Sequence, residues 1–248
     1  MTIDIADYLT VPEKSEWESI IGELNDIFDC LFFEQKNHIS FDILKRDADR
    51  EIEIDHLKSE FNNRVSDLLS NYVLVKHFYN KGIPDEEWFR KEKGKVIFYP
   101  NFQPEHFGYQ HWFNFYIESL YSRFIGLIDS LFHIVNIKYK IDEETKPGFR
   151  RKVLKMLLQL DENEVYKVMN DINNNIIIKK LNAIRNNFIH NQKPSEISSG
   201  VRRFKEGNIK TKVGLGDYTT STELLNIFQN SIKYFKTEFE KFNLITKI

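Results

Sequence analysis

Residues 109–139 read YQHWFNFYIESLYSRFIGLIDSLFHIVNIKY, and this stretch decides the fold class. It contains no proline and a single glycine, so nothing in it forces the chain to turn. Its apolar side chains recur at intervals of three and four residues, the spacing that makes one face of an α-helix apolar. These are Trp112, Phe113, Tyr116, Leu120, Phe124, Leu127, Leu131 and Val135. The stretch therefore predicts one long helix with a buried stripe.

The same spacing predicts helices on both sides of this stretch. We expect them at about residues 17–31, 40–80, 149–160, 162–172, 176–191 and 222–242. Asparagines 173–175 are expected to interrupt the helix that precedes residue 176. Glycines and prolines punctuate residues 81–108, where residues 95–99 predict a short strand or an extended crossover. Residues 194–219 predict a polar loop. The sequence thus predicts an all-α fold.

Composition and charge narrow the classes of function. The 248 residues include 35 Lys and Arg against 37 Asp and Glu, a formal net charge of −2. Proteins that coat long nucleic acids usually carry a basic excess, so any contact with RNA is expected to be local. Cys30 is the lone cysteine, which excludes an intramolecular disulfide and a cysteine-based metal site. No apolar run approaches the roughly 20 residues that span a bilayer. We expect a cytoplasmic protein with no membrane contact.

One short segment contains residue types that are suited to catalysis. Residues 181–191 read LNAIRNNFIHN, with Arg185, the adjacent polar Asn186, and His190 near the end of a predicted helix. This segment resembles the Arg-polar-x-x-x-His signature of the HEPN superfamily. The helix order also matches, because a long helix with Asp129 and Ser130 near its middle precedes the segment and an amphipathic helix follows it. The resemblance covers roughly residues 105–245, and the chain with its helical N-terminal part also resembles the Cthe2314-like HEPN subgroup.

The resemblance implies a fold, an activity and a mode of assembly. It implies a HEPN-like helical bundle at residues 105–248, preceded by a helical extension and crossover at residues 1–104. It implies a homodimeric, metal-independent endoribonuclease without a cofactor, which leaves a 2′,3′-cyclic phosphate and a 5′-hydroxyl. Such proteins act as toxins or phage-defence effectors, and a separate antitoxin protein is a partner to look for.

The chemistry suits the residue types. RNA carries its own nucleophile, a 2′-hydroxyl beside each phosphate, so cleavage by transesterification requires no metal. An imidazole transfers protons near neutral pH, which predicts a general acid or base role for His190. A guanidinium stays charged and holds two phosphate oxygens, which predicts transition-state stabilisation by Arg185. Asn186 lies one turn before His190 and is expected to orient the pair.

Further polar residues are candidates for binding the substrate. Asn187 and Asn191 flank the pair, and Asp129 and Ser130 lie on the preceding long helix. For the last two, ordinary polar positions on an amphipathic helix are the simpler interpretation.

One geometric condition follows from the helical period. At about 100° per residue, Arg185 and His190 lie roughly 140° apart on a regular helix. A compact site therefore requires a loosened helix end or a second copy of the motif. HEPN proteins resolve this by dimerising, and the resemblance implies the same here.

Spacing alone is weak evidence, and other functions stay open. Arg50 and His56 also fit a loose Arg-to-His pattern, but they lie among acidic residues that would repel a phosphate. A catalytically silent helical module that binds a nucleotide, RNA or a protein is the first alternative. A purely structural helical scaffold is the second.

Overall fold

The computed structural model describes residues 4–34, 48–198, 201–203, 209–211 and 216–247. Within these ranges the chain forms eight α-helices and two β-hairpins. The helices are α1 (Lys14–Gly22), α2 (Asn25–Phe28), α3 (Ala48–Asn80), α4 (Pro104–Lys138), α5 (Phe149–Gln159), α6 (Asn163–Asn174), α7 (Ile176–His190) and α8 (Ser221–Thr246). The strands are β1 (Phe89–Glu92), β2 (Lys95–Phe98), β3 (Val201–Arg203) and β4 (Ile209–Thr211).

The predicted all-α fold is confirmed, and its departures are local. The first predicted helix is divided, because α1 ends at Gly22 and α2 begins at Asn25. The predicted strand at residues 95–99 exists as β2, and its partner β1 was not expected. The polar loop predicted at residues 194–219 was wrong in part, since it contains the antiparallel pair β3–β4. The expected helix residues 40–47 and Gly200, Gly207 and Gly214 of the loop lie outside the described residues.

The chain folds into two compact units, and the long helices α3, α4 and α8 each contribute to both. The first unit comprises Met1–Ile20, Asn71–Tyr121 and Lys180–Gln229, and the second comprises Ile21–Ser70, Ser122–Lys179 and Asn230–Ile248. Each unit therefore takes residues from both sides of the boundary predicted at residue 104. That domain boundary stays a prediction.

Aromatic side chains form the core of the first unit. Tyr72 stacks on Phe228 with ring centroids 5.7 Å apart, and Phe78 stacks on Tyr116 at 5.8 Å. Such ring pairs stabilise a core beyond the apolar area that they bury. They join α3, α4 and α8 within this unit, the three helices around which its remaining segments are arranged.

The second unit has an aromatic core of its own. Phe33, Phe61 and Phe239 lie within 5.2 Å of one another, centroid to centroid. The Asn62 side chain accepts a hydrogen bond from the Phe33 amide and donates one to the Phe33 carbonyl, each at 2.9 Å. Because both amide functions are used, the segment after α2 is fixed on α3 without an unpaired polar group.

A buried carboxylate caps α8. Asp85 is 1% exposed and accepts hydrogen bonds from the Ser221 amide, the Ser221 hydroxyl and the Tyr218 hydroxyl, each at 2.8 Å. Burial raises the pKa of Asp85, and its three donors oppose that effect. An acidic group at the N-terminus of a helix also interacts favourably with the helix dipole. Asp85 thus fixes the start of α8 to the crossover after α3.

The N-terminal segment at residues 4–12, here called the strap, packs closely on α4 because residue 108 is a glycine. A Cβ atom at Gly108 would lie less than 3.0 Å from the Tyr8 side chain, a distance that real Cβ atoms do not show. The Trp112 indole donates to the Ile5 carbonyl at 3.0 Å, and Thr10 bonds to the His77 ring at 2.8 Å. The strap therefore depends on the absence of a side chain at residue 108.

Gly108→Ala is expected to lower the free energy of unfolding by about 1–3 kcal/mol, because the methyl group displaces Tyr8. Chymotrypsin should then cleave faster after Tyr8 or Leu9. Gly126→Ala is the matched control in the same helix: its Cβ would meet only the Arg64 Nη1 atom, at 3.4 Å, so a gain of about 0.5–1 kcal/mol is expected. Equal behaviour of the two variants in urea unfolding would contradict the close packing of the strap.

Candidate active site

The candidate site lies on α7, whose start is fixed by a single asparagine. Asn175 follows α6, and its Oδ1 accepts from the amides of Ile177 and Ile178 at 2.8 and 3.3 Å. Asparagine is among the residues that cap helix N-termini best, because its side chain satisfies amides that have no partner within the helix. The interruption predicted at asparagines 173–175 falls at Asn175 alone, because α6 continues through Asn174 and α7 begins at Ile176.

The buried stripe of α7 includes the position of Arg185. Ile178, Leu181 and Phe188 are 2%, 0% and 4% exposed, so helical spacing places residue 185 between Leu181 and Phe188 on the same face. The Phe188 ring packs edge-on against Tyr121, whose hydroxyl donates to the Leu224 carbonyl at 2.7 Å. Burial raises the pKa of Tyr121, so this hydroxyl stays a donor.

Arg185 is half-buried, and its hydrogen bonds are incomplete. Its Nη1 donates to Asn186 Oδ1 at 3.0 Å. Its Nε is buried and finds no hydrogen-bond partner in the part of the chain that the structure describes. A buried donor without a partner costs stability, and the cost is larger when the group is charged. The Nε–H of Arg185 is thus a buried donor that the described residues leave unsatisfied.

His190 occupies a different side of the same helix. It is exposed, and its ring has no hydrogen bond to any of the described residues. Helix α7 remains regular at this point, because the Asn191 amide still bonds to the Asn187 carbonyl at 3.1 Å. The rotation of roughly 140° between Arg185 and His190 therefore persists, and the helix end is not loosened.

The asparagines of the motif pair locally. Asn186 accepts the hydrogen bond from Arg185. Within the part of the chain that the structure describes, no hydrogen bond links Asn186 to His190. The side-chain Nδ2 of Asn191 donates to Asn187 Oδ1 at 3.0 Å, and both side chains are exposed. Asn186 therefore restrains the guanidinium in this arrangement, and Asn187 and Asn191 present amide groups to solvent.

Asp129 and Ser130 belong to the second unit and have partners there. Arg150 Nε donates to Asp129 Oδ1 at 2.6 Å, and Arg150 Nη2 donates to the Ile125 carbonyl at 3.1 Å. The Ser130 hydroxyl donates to the Gly126 carbonyl one turn earlier, at 3.0 Å. These bonds suit the simpler interpretation of both residues as structural polar positions on α4.

In the alternative Arg50–His56 pair, the arginine forms a structural ion pair. Arg50 forms a two-pronged ion pair with Asp142, with distances of 2.8 and 2.7 Å. A guanidinium held in this way is already occupied by a carboxylate. Arg185 differs, because its side-chain partner among the described residues is the neutral amide next to it.

The segment after α7 contains residues that the sequence did not single out. Ser195 is 3% exposed, and its hydroxyl finds no partner in the described part of the chain. It occupies a turn in which the Glu196 amide bonds to the Lys193 carbonyl at 3.1 Å, with Pro194 at the position that proline favours. In the sequence, Pro194 followed by Ser195 indicates a turn, but nothing there indicates that the Ser195 side chain is buried.

The lysines next to the motif are neutralised. Lys180 Nζ lies 3.0 Å from Glu223, and Lys193 Nζ lies 3.3 Å from Glu118. Among the described residues, no group of three or more His, Cys, Asp or Glu side chains is arranged to hold a metal ion. Nor is any helix in the described ranges long and apolar enough to cross a membrane.

Arg185→Met is expected to leave the free energy of unfolding unchanged or to raise it by about 1 kcal/mol, because it removes a buried unpaired donor and keeps the aliphatic stem. Arg150→Met is the matched control. It breaks two satisfied bonds, one to a half-exposed carboxylate, and should lower stability by about 1–2 kcal/mol. Urea unfolding at matched protein concentration measures both; an equal loss would make Arg185 a structural residue.

Comparison with known proteins yields one match. The model of the Cthe2314-like HEPN family matches residues 57–243. No curated protein and no solved structure matches the chain. The match begins in α3, well before the start of the similarity noted from the motif, and it includes the whole of α4, α7 and the motif itself. Because it covers most of the chain, the protein belongs to the Cthe2314-like HEPN family.

Proposed function

We propose that the protein is a metal-independent endoribonuclease of the HEPN type, acting on RNA in the cytoplasm. The observation that carries the proposal is the Arg185 guanidinium, half-buried with an unpartnered Nε, on the same helix as an exposed histidine. A phosphate is the anion that such a group would take from RNA. Arg185 would stabilise the growing negative charge and His190 would transfer protons.

The reaction is a transesterification within the substrate. The 2′-oxygen bonds to the adjacent phosphorus as it loses its proton, and the bond from phosphorus to the 5′-oxygen breaks as that oxygen gains a proton. The products are a 2′,3′-cyclic phosphate and a 5′-hydroxyl, with no net change in oxidation state. Imidazoles are suited to both proton transfers. Asn186 would restrain Arg185 toward the phosphate through the bond that it already accepts.

A homodimer is part of the proposal, for a geometric reason. The rotation of roughly 140° between Arg185 and His190 is too large for both to reach one phosphate from one regular helix. A second copy related by a two-fold axis would present its His190 to the Arg185 of the first, and the reverse. Ile189, the neighbour of His190, is 42% exposed, which is consistent with a contact at this end of α7.

The cleavage test compares two histidines. The wild-type protein should cut single-stranded RNA in EDTA, and His190→Ala should lower the rate about 100-fold or more, because it removes the proton-transfer group. His56→Ala is the control, since His56 is exposed and belongs to the alternative pair. End-group analysis should find 2′,3′-cyclic phosphates. Activity that vanishes without divalent metal would contradict the mechanism, and RNA binding without cleavage would favour the silent binding module.

Mixing two inactive variants tests the composite site. Arg185→Ala and His190→Ala are each expected to be inactive, but a mixed dimer contains one site with both groups supplied by different copies. Random exchange should therefore restore about one quarter of the wild-type rate. Sedimentation measures the dimer itself. A mixture as inactive as its components, in which exchange is demonstrated, would contradict a site shared between copies.

A role as a toxin or phage-defence effector follows from the same activity. Expression of the wild-type protein should slow bacterial growth and fragment total RNA, and expression of the His190→Ala variant should do neither. A separate antitoxin would then be sought as a protein that relieves the wild-type effect. The −2 net charge is consistent with a local RNA site of this kind.

A further inference from the structure

A lysine-rich hairpin lies in the same unit as the motif. Strands β1 and β2 pair antiparallel, with Phe89 opposite Phe98 and Glu92 opposite Lys95. Lys91, Lys93 and Lys95 are all exposed at or beside the turn. No ion pair or hydrogen bond joins any of their side chains to another described residue. Three unpaired cationic side chains thus surround the tip of the hairpin, with Lys91 on the face of Phe98, Lys95 on the opposite face and Lys93 in the turn between them.

The nearby carboxylates of Glu87 and Glu92 pair with Arg90 and form no ion pair with these lysines. Arg90 donates to both oxygens of Glu87 at 2.8 Å and lies 3.7 Å from Glu92. Asn101 also donates to Glu87, at 3.0 Å. The hydrogen bonds from Arg90 and Asn101 lower the pKa of Glu87 to about 2. The hairpin therefore keeps its positive charge free for an external anion.

The turn is built at a conformational cost. Lys93 and Gly94 have φ angles of 45° and 81°, both in the left-handed region. Glycine adopts this region readily, whereas a lysine there is uncommon, and asparagine is the usual choice before the glycine of such a turn. Here the side chain places a charge at the tip.

Aromatic side chains accompany the lysines. Phe98 is 43% exposed and stacks at 6.4 Å on Trp88, which stacks in turn on Tyr218 at 5.3 Å. Basic groups beside exposed aromatic rings are the combination that binds single-stranded nucleic acid, since the charges follow the phosphates and the rings stack on bases. An acidic protein surface would require the charges but not the rings.

A chain of contacts connects the residue before the hairpin to the segment after the motif. Trp88 stacks on Tyr218, and the next residue, Thr219, donates its amide hydrogen bond to the Pro194 carbonyl at 2.8 Å. Pro194 lies four residues after His190. Because Lys180 and Lys193 beside the motif are paired with glutamates, the motif itself offers little further positive charge.

We propose that the β1–β2 hairpin binds single-stranded RNA, with Lys91, Lys93 and Lys95 contacting phosphates and Phe98 stacking on a base. This inference rests on the proposed function for the identity of the ligand. It assigns the hairpin a task separate from cleavage: it holds the strand beside the motif, while the motif carries out the chemistry.

The experiment measures binding with a probe that cannot be cleaved. A fluorescein-labelled, 2′-O-methyl single-stranded RNA is titrated with the full chain at several salt concentrations. The hairpin variant is Lys91→Gln, Lys93→Asn and Lys95→Gln, in which asparagine suits the left-handed turn and preserves folding. Its affinity should fall roughly tenfold or more, and the slope of log K against log salt should decrease by about 2.

Two controls separate the hairpin from general charge. The charge-matched variant Arg151→Gln, Lys152→Gln and Lys155→Gln changes three exposed residues of α5 in the other unit, and its affinity should change by less than about twofold. Phe98→Ser should weaken binding roughly fivefold or more without changing the salt slope, because stacking is not ionic. Equal losses for the two triple variants, or wild-type binding by the hairpin variant, would overturn the inference.

The outcome is independent of cleavage. His56→Ala should bind the probe like the wild type, because His56 is exposed, lies in the other unit and belongs neither to the hairpin nor to the motif. Hairpin-dependent binding in a protein that cleaves no RNA would uphold the hairpin site and refute the ribonuclease. Cleavage by the wild type together with no measurable probe binding would uphold the ribonuclease and overturn the hairpin site.

Discussion

The period of the α-helix is the constraint on which the candidate site depends. On α7 it places residue 185 on the stripe of Leu181 and Phe188, which is buried, and it places His190 roughly 140° away, where the side chain is exposed. One helix therefore serves two purposes, packing against Tyr121 on one side and presenting an imidazole on another. The two groups cannot converge within one copy while the helix stays regular, and its hydrogen bonds show that it does.

Other buried polar groups of this protein show what a structural role looks like. Asp85 receives three hydrogen bonds, Asn62 uses both ends of its amide on one residue, and Arg150 bonds to a carboxylate and a backbone carbonyl. Each of these groups is satisfied, as buried polar groups in folded proteins generally are. Arg185 Nε departs from this pattern, as do the Ser195 hydroxyl and one side-chain oxygen each of Asn71, Glu238 and Asn243. Of these five unpartnered atoms in the described part of the chain, Arg185 Nε is the one that belongs to a cation, and this charge is why the proposed RNA site is built on it.

The sequence predicted helices well because their signal is local. The stripes of residues 109–139 and 149–160 repeat within a few turns, and α4 and α5 follow them closely. The hairpin β1–β2 has no such repeat, and strands of four residues with mostly exposed side chains leave little pattern to detect. Only Lys95–Phe98 carried enough β-branched and aromatic character to be recognised, whereas its partner, Phe89–Glu92, is mostly charged.

The same distinction applies to the site. The motif could be read from sequence because its residues are close along one helix. What each side chain contacts could not, since the partners of Asp129 and Lys193 are distant in sequence, at Arg150 and Glu118. Asp129 was therefore predicted to belong to the site only because it is a polar residue on the helix that precedes the motif. Burial was equally hidden at Ser195, because a proline–serine turn is ordinarily exposed.

Electrostatics connect the motif to its surroundings. A net charge of −2 means that the protein as a whole does not attract RNA, so attraction has to come from local surfaces where positive charge is left unpaired. The lysines flanking the motif are paired with glutamates, and the hairpin lysines are not, because Arg90 takes the nearby carboxylates. If an RNA strand is bound at the hairpin and cleaved at the motif, binding and catalysis are carried out by different residues. In the proposed ribonuclease, the hairpin would then supply much of the affinity for the strand, and Arg185 would act on the one phosphate at which the bond breaks.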